Sequence, residues 1–214
     1  SARSGNEIDM VHASVLDPTL NGSGKQVLSL TAGIDYIHDM QVMPDGKIFA
    51  VGALNDRFGL MRFNADMTLD TSFGTDGMTI SDFGAGTHAR SFAFDSAGRI
   101  FVVGGNRIAC YSADGVIDAT FGTNGNVVID HVGQAYAVAI QADGKVDIVG
   151  RDDLEFLITR LNTSNGGGAN NWSYEAGSRP DINHNGDYGR AVFTLDDGDI
   201  VIAGRGYGSG DQFG

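Results

Sequence analysis

Four pairs of residues in the sequence could form a binding site, because each places aromatic, cationic or amide side chains two positions apart. Each pair precedes an apolar segment and a Gly-containing turn. The pairs are Tyr36 and His38, His88 and Arg90, Gln134 and Tyr136, and Tyr188 and Arg190. Side chains two positions apart in a strand point to the same face of the sheet. The sequence therefore predicts four equivalent pairs, each on one face of a strand.

Two interpretations of these pairs stay open. Arginine presents a planar fork of N–H donors that matches a carboxylate, and aromatic faces suit a flat ring. If the four strands surround one channel, the pairs would crowd one mouth of it and bind a flat or anionic ligand such as a uronic or sialic acid. Alternatively, they fill the hole of a small ring and hydrogen-bond to neighbouring backbone, because buried polar groups need partners.

A second candidate site is a calcium loop in the segment PDINHNGDY. Oxygen ligands at alternate positions before a glycine are the arrangement with which a calcium loop surrounds a hard cation. The candidate ligands are Asp181, Asn183, Asn185 and Asp187. Val192 stands where a helical calcium loop needs a bidentate carboxylate. The segment has two interpretations, a site for calcium as a cofactor and an Asn/Gly-rich turn, which is the commoner structure for such residues.

Catalytic residues are not expected, because no residues have the sequence spacing of a nucleophile with its base. Cys110 lies in the apolar segment RIACYS and is expected to be a small core residue. Arg62 and Arg160 each lie inside an apolar strand. We expect each of them to pair with a repeat acid such as Asp70 or Asp118.

The segments that hold these residues recur along the chain. The start of each copy falls at Asp17, Asp70 and Asp118, with Asn171 as a degenerate fourth, so the spacings are 53, 48 and 53 residues. A period near fifty with several short strands per copy is typical of propeller blades. Turns at 45–46, 97–98, 143–144 and 197–198 end in glycine, which accepts the positive φ of a tight hairpin. The predicted fold class is all-β, a β-propeller of four blades of about 50 residues each.

The stretches PDGKIFAVG, FGLMRFNADMTLDTSFGTDG and QADGKVDIVG resemble the bacterial delta-60 repeat, a β-propeller repeat of large, mostly secreted or surface proteins. The resemblance extends over residues 7–204. It implies a propeller fold and a secreted or cell-surface location. The family carries no established activity, so the resemblance transfers no catalytic residue. Cys110 departs from the pattern by standing where other copies have arginine.

The charge balance argues against two classes of partner. The chain has 27 Asp and Glu against 14 Lys and Arg, a net charge of −13. Nucleic acid and anionic membrane surfaces would be repelled unless a basic patch compensated, and the sequence has none. Its single cysteine allows no intrachain disulfide. No apolar run is long enough to span a membrane, so we expect no membrane insertion.

We expect one propeller domain over residues 1–214. Its repeat copies are 17–69, 70–117, 118–169 and 170–214, the last completed by 7–16. Glu7 to Val11 aligns with Leu60 to Asn64, in the third strand of a copy. The N-terminal strand is therefore predicted to lie beside Ile200 to Ala203 and complete the last blade, which would remove a free strand edge.

Three functions are compatible with this sequence. The first is a non-enzymatic binding or adhesion module of a bacterial secreted or cell-surface protein, with a glycan or protein partner. The second is a structural subunit of an extracellular assembly or filament, joined by strand exchange. The third is a propeller hydrolase or lyase that acts on an acidic sugar, which would need Tyr, His and Arg side chains to converge.

Overall fold

A computed structural model gives the fold. It describes residues 7–9, 11–12, 15–16, 25–84, 86–129, 132–152, 155–162, 173–175, 188–195 and 197–205. The chain divides into two compact units, Ser1–Ala89 and Arg90–Gly214. The single domain predicted over residues 1–214 stays a prediction. Strands, turns and bends make up the described residues, and no helix among them is long and apolar enough to cross a membrane. The predicted all-β class is confirmed.

Unit 1 contains eight strands among its described residues. They are β1 Glu7–Asp9, β2 Val11–His12, β3 Val15–Leu16, β4 Lys25–Val27, β5 Tyr36–Val42, β6 Ile48–Leu54, β7 Arg57–Phe63 and β8 Met78–Ser81. Strands β5 to β8 form one antiparallel sheet in chain order. β1 pairs with β4, and β2 pairs with β3.

Unit 2 contains ten strands among its described residues. They are β9 Ser91–Phe94, β10 Ile100–Gly104, β11 Arg107–Tyr111, β12 Asn126–Val128, β13 Gln134–Ile140, β14 Val146–Asp152, β15 Glu155–Asn162, β16 Ser173–Glu175, β17 Tyr188–Thr194 and β18 Ile200–Arg205. They form one four-stranded sheet from β9 to β12 and another from β13 to β16, with β17 and β18 as a pair.

The three four-stranded sheets are out of phase with the sequence repeats. In each, one repeat copy supplies the first three strands and the next copy supplies the fourth. β8 and β12 show this, since each begins eight residues after the Asp that opens a copy, Asp70 and Asp118. Every four-stranded sheet therefore contains a join between two copies.

The predicted hairpin turns are confirmed. Gly46, Gly98, Gly144 and Gly198 have φ between 79° and 89°, a backbone conformation that a glycine adopts at low cost. A different turn joins β6 to β7, where Asn55 and Asp56 have φ of 51° and 59°. Two successive positive φ angles define the type I′ turn, whose twist matches that of a two-residue hairpin. This turn places Asp56 at the end of the sheet.

The core of each unit lies on its middle strands. Every residue of β6 and of β10 is buried, because these strands have neighbours on both edges and packed residues on both faces. In unit 1 the cluster centres on Ile48, Leu54, Met61 and Phe63. In unit 2 it centres on Phe101, Ile108, Ile148 and Leu157.

The predicted closing strand is not confirmed. β1 pairs with β4, with Glu7 opposite Val27, and β18 pairs only with β17 among the described strands. Pairing with β4 uses one edge of β1 and leaves its other edge undecided, because every strand has two edges. That Glu7 to Val11 lies beside Ile200 to Ala203 and completes the last blade therefore stays a prediction.

Candidate functional site

Three of the predicted pairs lie at β-bulges. In β5, β13 and β17 the pairing register shifts by one residue, so one residue of the strand is left between two paired ones. That residue is His38 in β5, Tyr136 in β13 and Arg190 in β17. A bulge bends the strand and redirects a side chain, and it is common beside functional sites. The fold thus places three equivalent side chains by one backbone device.

A glycine faces each bulge from the neighbouring strand. These glycines are Gly52, Gly150 and Gly204. A Cβ atom at any of them would overlap a backbone carbonyl oxygen, which belongs to Tyr36, Gln134 or Tyr188 respectively. An isolated glycine inside a strand is a known signal of a bulge. The bulges were not predicted, although this signal is present in three copies.

In unit 1 the bulge brings together a group that we call the histidine cluster, formed by Tyr36, His38, Asp56 and His88. Tyr36 Oη lies 2.6 Å from His88 Nδ1, and His88 Nε2 lies 2.8 Å from Asp56 Oδ1. The Tyr36 and His38 rings meet edge to face with centroids 4.8 Å apart, and the His38 and His88 rings stack at 6.4 Å. Three of the predicted site residues are therefore in contact.

The polar groups of the histidine cluster serve as one another's hydrogen-bond partners. In a neutral imidazole, donation from Nε2–H to Asp56 leaves Nδ1 to accept the Tyr36 O–H. Both ring nitrogens of His88 are then occupied. The Tyr36 phenol is hydrogen-bonded to an imidazole that the Asp56 carboxylate orients. This arrangement also resembles an activated nucleophile with its base. Sequence spacing could not reveal this chain, because its members lie at positions 36, 56 and 88.

In unit 2 the equivalent position builds a different group, the arginine cluster, formed by Tyr136, Tyr188 and Arg190. The guanidinium carbon of Arg190 lies 4.7 Å from the Tyr188 ring centroid and 5.4 Å from that of Tyr136. The two ring centroids are 5.7 Å apart. Arg190 Nη2 donates to Tyr188 Oη at 3.3 Å. Cation–π contacts of this kind hold a guanidinium in place.

The arginine cluster is electropositive within an acidic chain. Arg190 is exposed, and no carboxylate among the described residues lies within ion-pair distance of it. By contrast, Arg57, Arg62, Arg99 and Arg160 all pair with Asp. Arg190, followed by Arg205, which lies opposite Tyr188 in the β17–β18 ladder, lowers the pKa of the Tyr188 hydroxyl. Neither Arg205 nor Asp56 was among the predicted site residues.

The remaining predicted pair members lie elsewhere in unit 2. Arg90 donates its backbone N–H to Val103, and its Nε is buried without a hydrogen-bond partner among the described residues. Gln134 donates to the carbonyl of Ala135. Since the predicted residues divide between the two units, their common rim around one channel stays a prediction.

The structural expectations are partly confirmed. Arg62 Nε pairs with Asp70 at 2.7 Å, as predicted. Arg160 pairs with Asp147 at 2.6 Å instead of Asp118, because Asp147 lies directly across the β14–β15 ladder.

Cys110 is buried in the core, and burial raises the pKa of its thiol to about 12, so the thiol stays protonated. The proposed calcium ligands Asp181, Asn183, Asn185 and Asp187 lie outside the described residues, and calcium binding stays a prediction.

Repeated four-stranded antiparallel sheets are typical of the blades of a β-propeller. Residues 44–73 and 97–121 match the family described as "Domain of unknown function (DUF5122) beta-propeller", which is the delta-60 repeat type. The resemblance predicted from the sequence is confirmed.

Among solved structures, the chain is similar to the "WD40 beta propeller domain of Doa1", with 15% sequence identity and a TM-score of 0.55. The match covers 82% of this chain and 49% of that one, so this chain spans about half of that propeller. At this identity the likeness shows the fold alone. No curated protein matches the chain. The β-propeller fold is supported, whereas the number of four blades stays a prediction.

Proposed function

We propose that this chain is a non-enzymatic binding module of a secreted or cell-surface protein, and that it presents a ligand-binding surface on a propeller scaffold. The observation that carries the proposal is the arginine cluster. An exposed guanidinium contacts two neighbouring tyrosine rings and has no carboxylate partner among the described residues. A chain of net charge −13 has many carboxylates that could pair with such a cation. Four other arginines do pair with an Asp side chain.

The residue types of the arginine cluster, tyrosine and arginine, also favour binding. They are the residue types that most often dominate binding energy at interfaces, because each combines a large rigid surface with polar atoms. The secreted or cell-surface location rests on the delta-60 resemblance. An adhesive role follows if the bound partner is a glycan or protein of a neighbouring cell.

A glycan array tests the proposal directly. Wild-type protein is applied with Arg190→Ala and with Arg57→Ala, which removes an equally charged exposed side chain from unit 1. We expect glycans that wild type and Arg57→Ala retain and Arg190→Ala loses. Bound glycans should be recovered with unchanged mass, since we propose binding without turnover. Equal binding by all three proteins, or cleaved glycans, would contradict the proposal.

A second candidate function, a subunit of an assembly joined by strand exchange, is favoured by the β17–β18 sheet. Val201 in β18 is 49% exposed, whereas the equivalent Phe49, Phe101 and Asp147 are at most 1% exposed. The difference arises because β6, β10 and β14 each have a third strand beside them, and β18 has none among the described strands.

The occupant that we propose for this edge is the β1–β4 pair of a second copy of the chain. β4 begins eight residues after Asp17, as β8 does after Asp70, so β1 and β4 hold the repeat positions of a third and fourth strand. An exposed strand edge readily accepts a strand from another chain.

Light scattering after size-exclusion chromatography tests this assembly. Wild type should form a concentration-dependent oligomer, and deletion of residues 1–11 should return folded single copies. A monomeric wild type at all concentrations would count against strand exchange and would leave the binding proposal intact.

A further inference from the structure

The donors of Arg190 outnumber their partners in the described part of the chain. A guanidinium carries five N–H donors in one plane. The one hydrogen bond that its side chain makes to a described residue goes from Nη2 to the Tyr188 hydroxyl, at 3.3 Å. Because two tyrosine rings and that bond hold the group, little conformational entropy is lost when a ligand binds the remaining donors.

We propose that the arginine cluster binds the carboxylate of an acidic sugar, and that the Tyr188 hydroxyl competes with this carboxylate for Arg190. This inference rests on the proposed binding function and names the ligand class of the same site. The carboxylate takes two parallel N–H donors of Arg190. The C–H face of the sugar ring packs on the Tyr136 ring, which is half-buried and therefore presents part of its surface to solvent.

Charge favours a ligand with a single carboxylate over a polyanion. The chain as a whole carries a net charge of −13 and repels a densely charged ligand at long range. A single carboxylate next to Arg190 gains a short charge-assisted pair and meets less of that repulsion.

The competition with Tyr188 follows from the groups around it. Arg190 and Arg205 lie at its hydroxyl, and the Tyr136 ring lies beside its own ring. The two arginines lower the pKa of Tyr188, Arg190 having the larger effect. As the pH rises through this lowered pKa, the phenolate forms a negative charge against Arg190. A ligand carboxylate then has to share the cation, and its affinity falls. By linkage, a bound carboxylate raises the pKa of Tyr188 again.

Saturation-transfer NMR and calorimetry with three monosaccharides test the ligand class. These are D-glucuronate, its methyl ester and D-glucose, of which only the first has a carboxylate. We expect glucuronate to bind about tenfold or more tightly than the other two. Arg190→Lys keeps the charge but not the fork, and it should weaken glucuronate binding by about tenfold. The control Arg57→Lys should change nothing, and circular dichroism confirms that each variant is folded.

Tyr188→Phe and an absorbance titration test the competition. At neutral pH this variant should bind glucuronate within about twofold of wild type, since the lost hydroxyl is not a ligand group. At alkaline pH it should bind more tightly than wild type. Saturating glucuronate should also move the lowest tyrosinate transition of wild type to higher pH.

The outcomes separate this inference from the binding proposal. Equal affinity for glucose and glucuronate, or no binding of glucuronate, overturns the carboxylate assignment. If the glycan array still shows Arg190-dependent binding of neutral glycans, the binding function stands without it. If Tyr188→Phe and wild type lose affinity equally at alkaline pH, the competition is overturned.

Discussion

The histidine cluster of unit 1 and the arginine cluster of unit 2 are built at equivalent backbone positions, but their polar groups have different partners. Both are built on a bulge in the first strand of a sheet, opposite a glycine. In unit 1 the side chains hydrogen-bond in a chain from Tyr36 through His88 to Asp56. In unit 2 the bulge residue is Arg190, which has no carboxylate partner among the described residues.

If the arginine cluster binds a ligand as we propose, the two clusters show how one repeat scaffold can separate stability from binding. The backbone fixes where a side chain is presented, and residue type then decides whether its polar groups satisfy one another or stay available. A polar group that is hydrogen-bonded within such a cluster contributes to stability, because loss of its partner leaves a partly buried donor or acceptor, such as the Tyr36 hydroxyl, unpaired. An exposed cation held by aromatic rings contributes little to stability and much to recognition.

The largest expected effect comes from removing the bulge itself. Gly52→Ala would place a Cβ atom against the Tyr36 carbonyl and should lower the free energy of unfolding by about 3 kcal/mol. Gly204→Ala meets the Tyr188 carbonyl and should cost less, about 1 kcal/mol, since the β17–β18 sheet is less buried. Urea denaturation measures both. Ala65→Gly, an exposed turn position, is the control, and a larger loss at Gly204 than at Gly52 would contradict the comparison.

The next largest effect is a difference between the two clusters in how much a substitution changes the stability of the protein. His88→Ala removes the partner of Tyr36 and of Asp56 and should cost about 1–3 kcal/mol. Arg190→Ala should change the free energy of unfolding by no more than about 0.5 kcal/mol, because the side chain is exposed. Denaturation midpoints of the two variants, measured side by side, check this difference. If the two substitutions cost the same, the roles that we assign to the clusters are wrong.

The response to acid sharpens the view that polar groups of unit 1 stabilise it. Lys47, then Ser72 and Arg62, hold the pKa of Asp70 well below its ordinary value. A carboxyl group with a lowered folded-state pKa stabilises the fold above its unfolded pKa of about 4, and that contribution is lost as the pH falls towards the folded-state value. Melting temperatures followed into acid should therefore fall less steeply for Asp70→Asn than for wild type. Parallel curves would show that Asp70 contributes nothing to acid sensitivity.

The smallest effect concerns alkali and unit 2. Because Tyr188 has a lowered pKa, its phenolate adds stability above the unfolded pKa of about 10, and this contribution is lost as the pH falls through the folded-state value. A tyrosinate absorbance titration should show one group ionising earlier than the rest. Arg190→Ala should move that transition to higher pH, and Tyr188→Phe should remove it. An unmoved transition in Arg190→Ala would mean that Arg190 does not act on Tyr188.

Much of the local structure could be predicted from the sequence, because it depends on neighbouring residues. The four hairpin turns follow from glycine at positions 46, 98, 144 and 198, each of which has positive φ in the structure. The pairing of Arg62 with Asp70 followed from an arginine inside an apolar strand near a repeat acid. The grouping of Tyr36 with His38, and of Tyr188 with Arg190, followed from their two-residue spacing.

What could not be predicted depends on distant residues. Asp56 reaches His88 because a type I′ turn at the end of one hairpin meets a segment 32 residues later, and no local pattern encodes that meeting. Arg205 faces Tyr188 only through the register of the β17–β18 pair. The N-terminal strand divides in the same way. Repeat alignment identified Glu7 to Val11 as third-strand residues, and the pairing of β1 with β4 agrees with that position. The predicted pairing with Ile200 to Ala203 depends on residues about 190 positions away and stays a prediction.

An NMR titration of the wild-type protein with D-glucuronate can distinguish binding at the arginine cluster from binding at the histidine cluster, because the tyrosine and histidine ring resonances report the two clusters separately. We expect the Tyr136 and Tyr188 resonances to shift and saturate, while those of Tyr36, His38 and His88 stay in place. Glucose should move none of them. Saturable shifts in the histidine cluster with none at Tyr136 or Tyr188 would show that our assignment is wrong, because they would place binding at the cluster that we regard as structural.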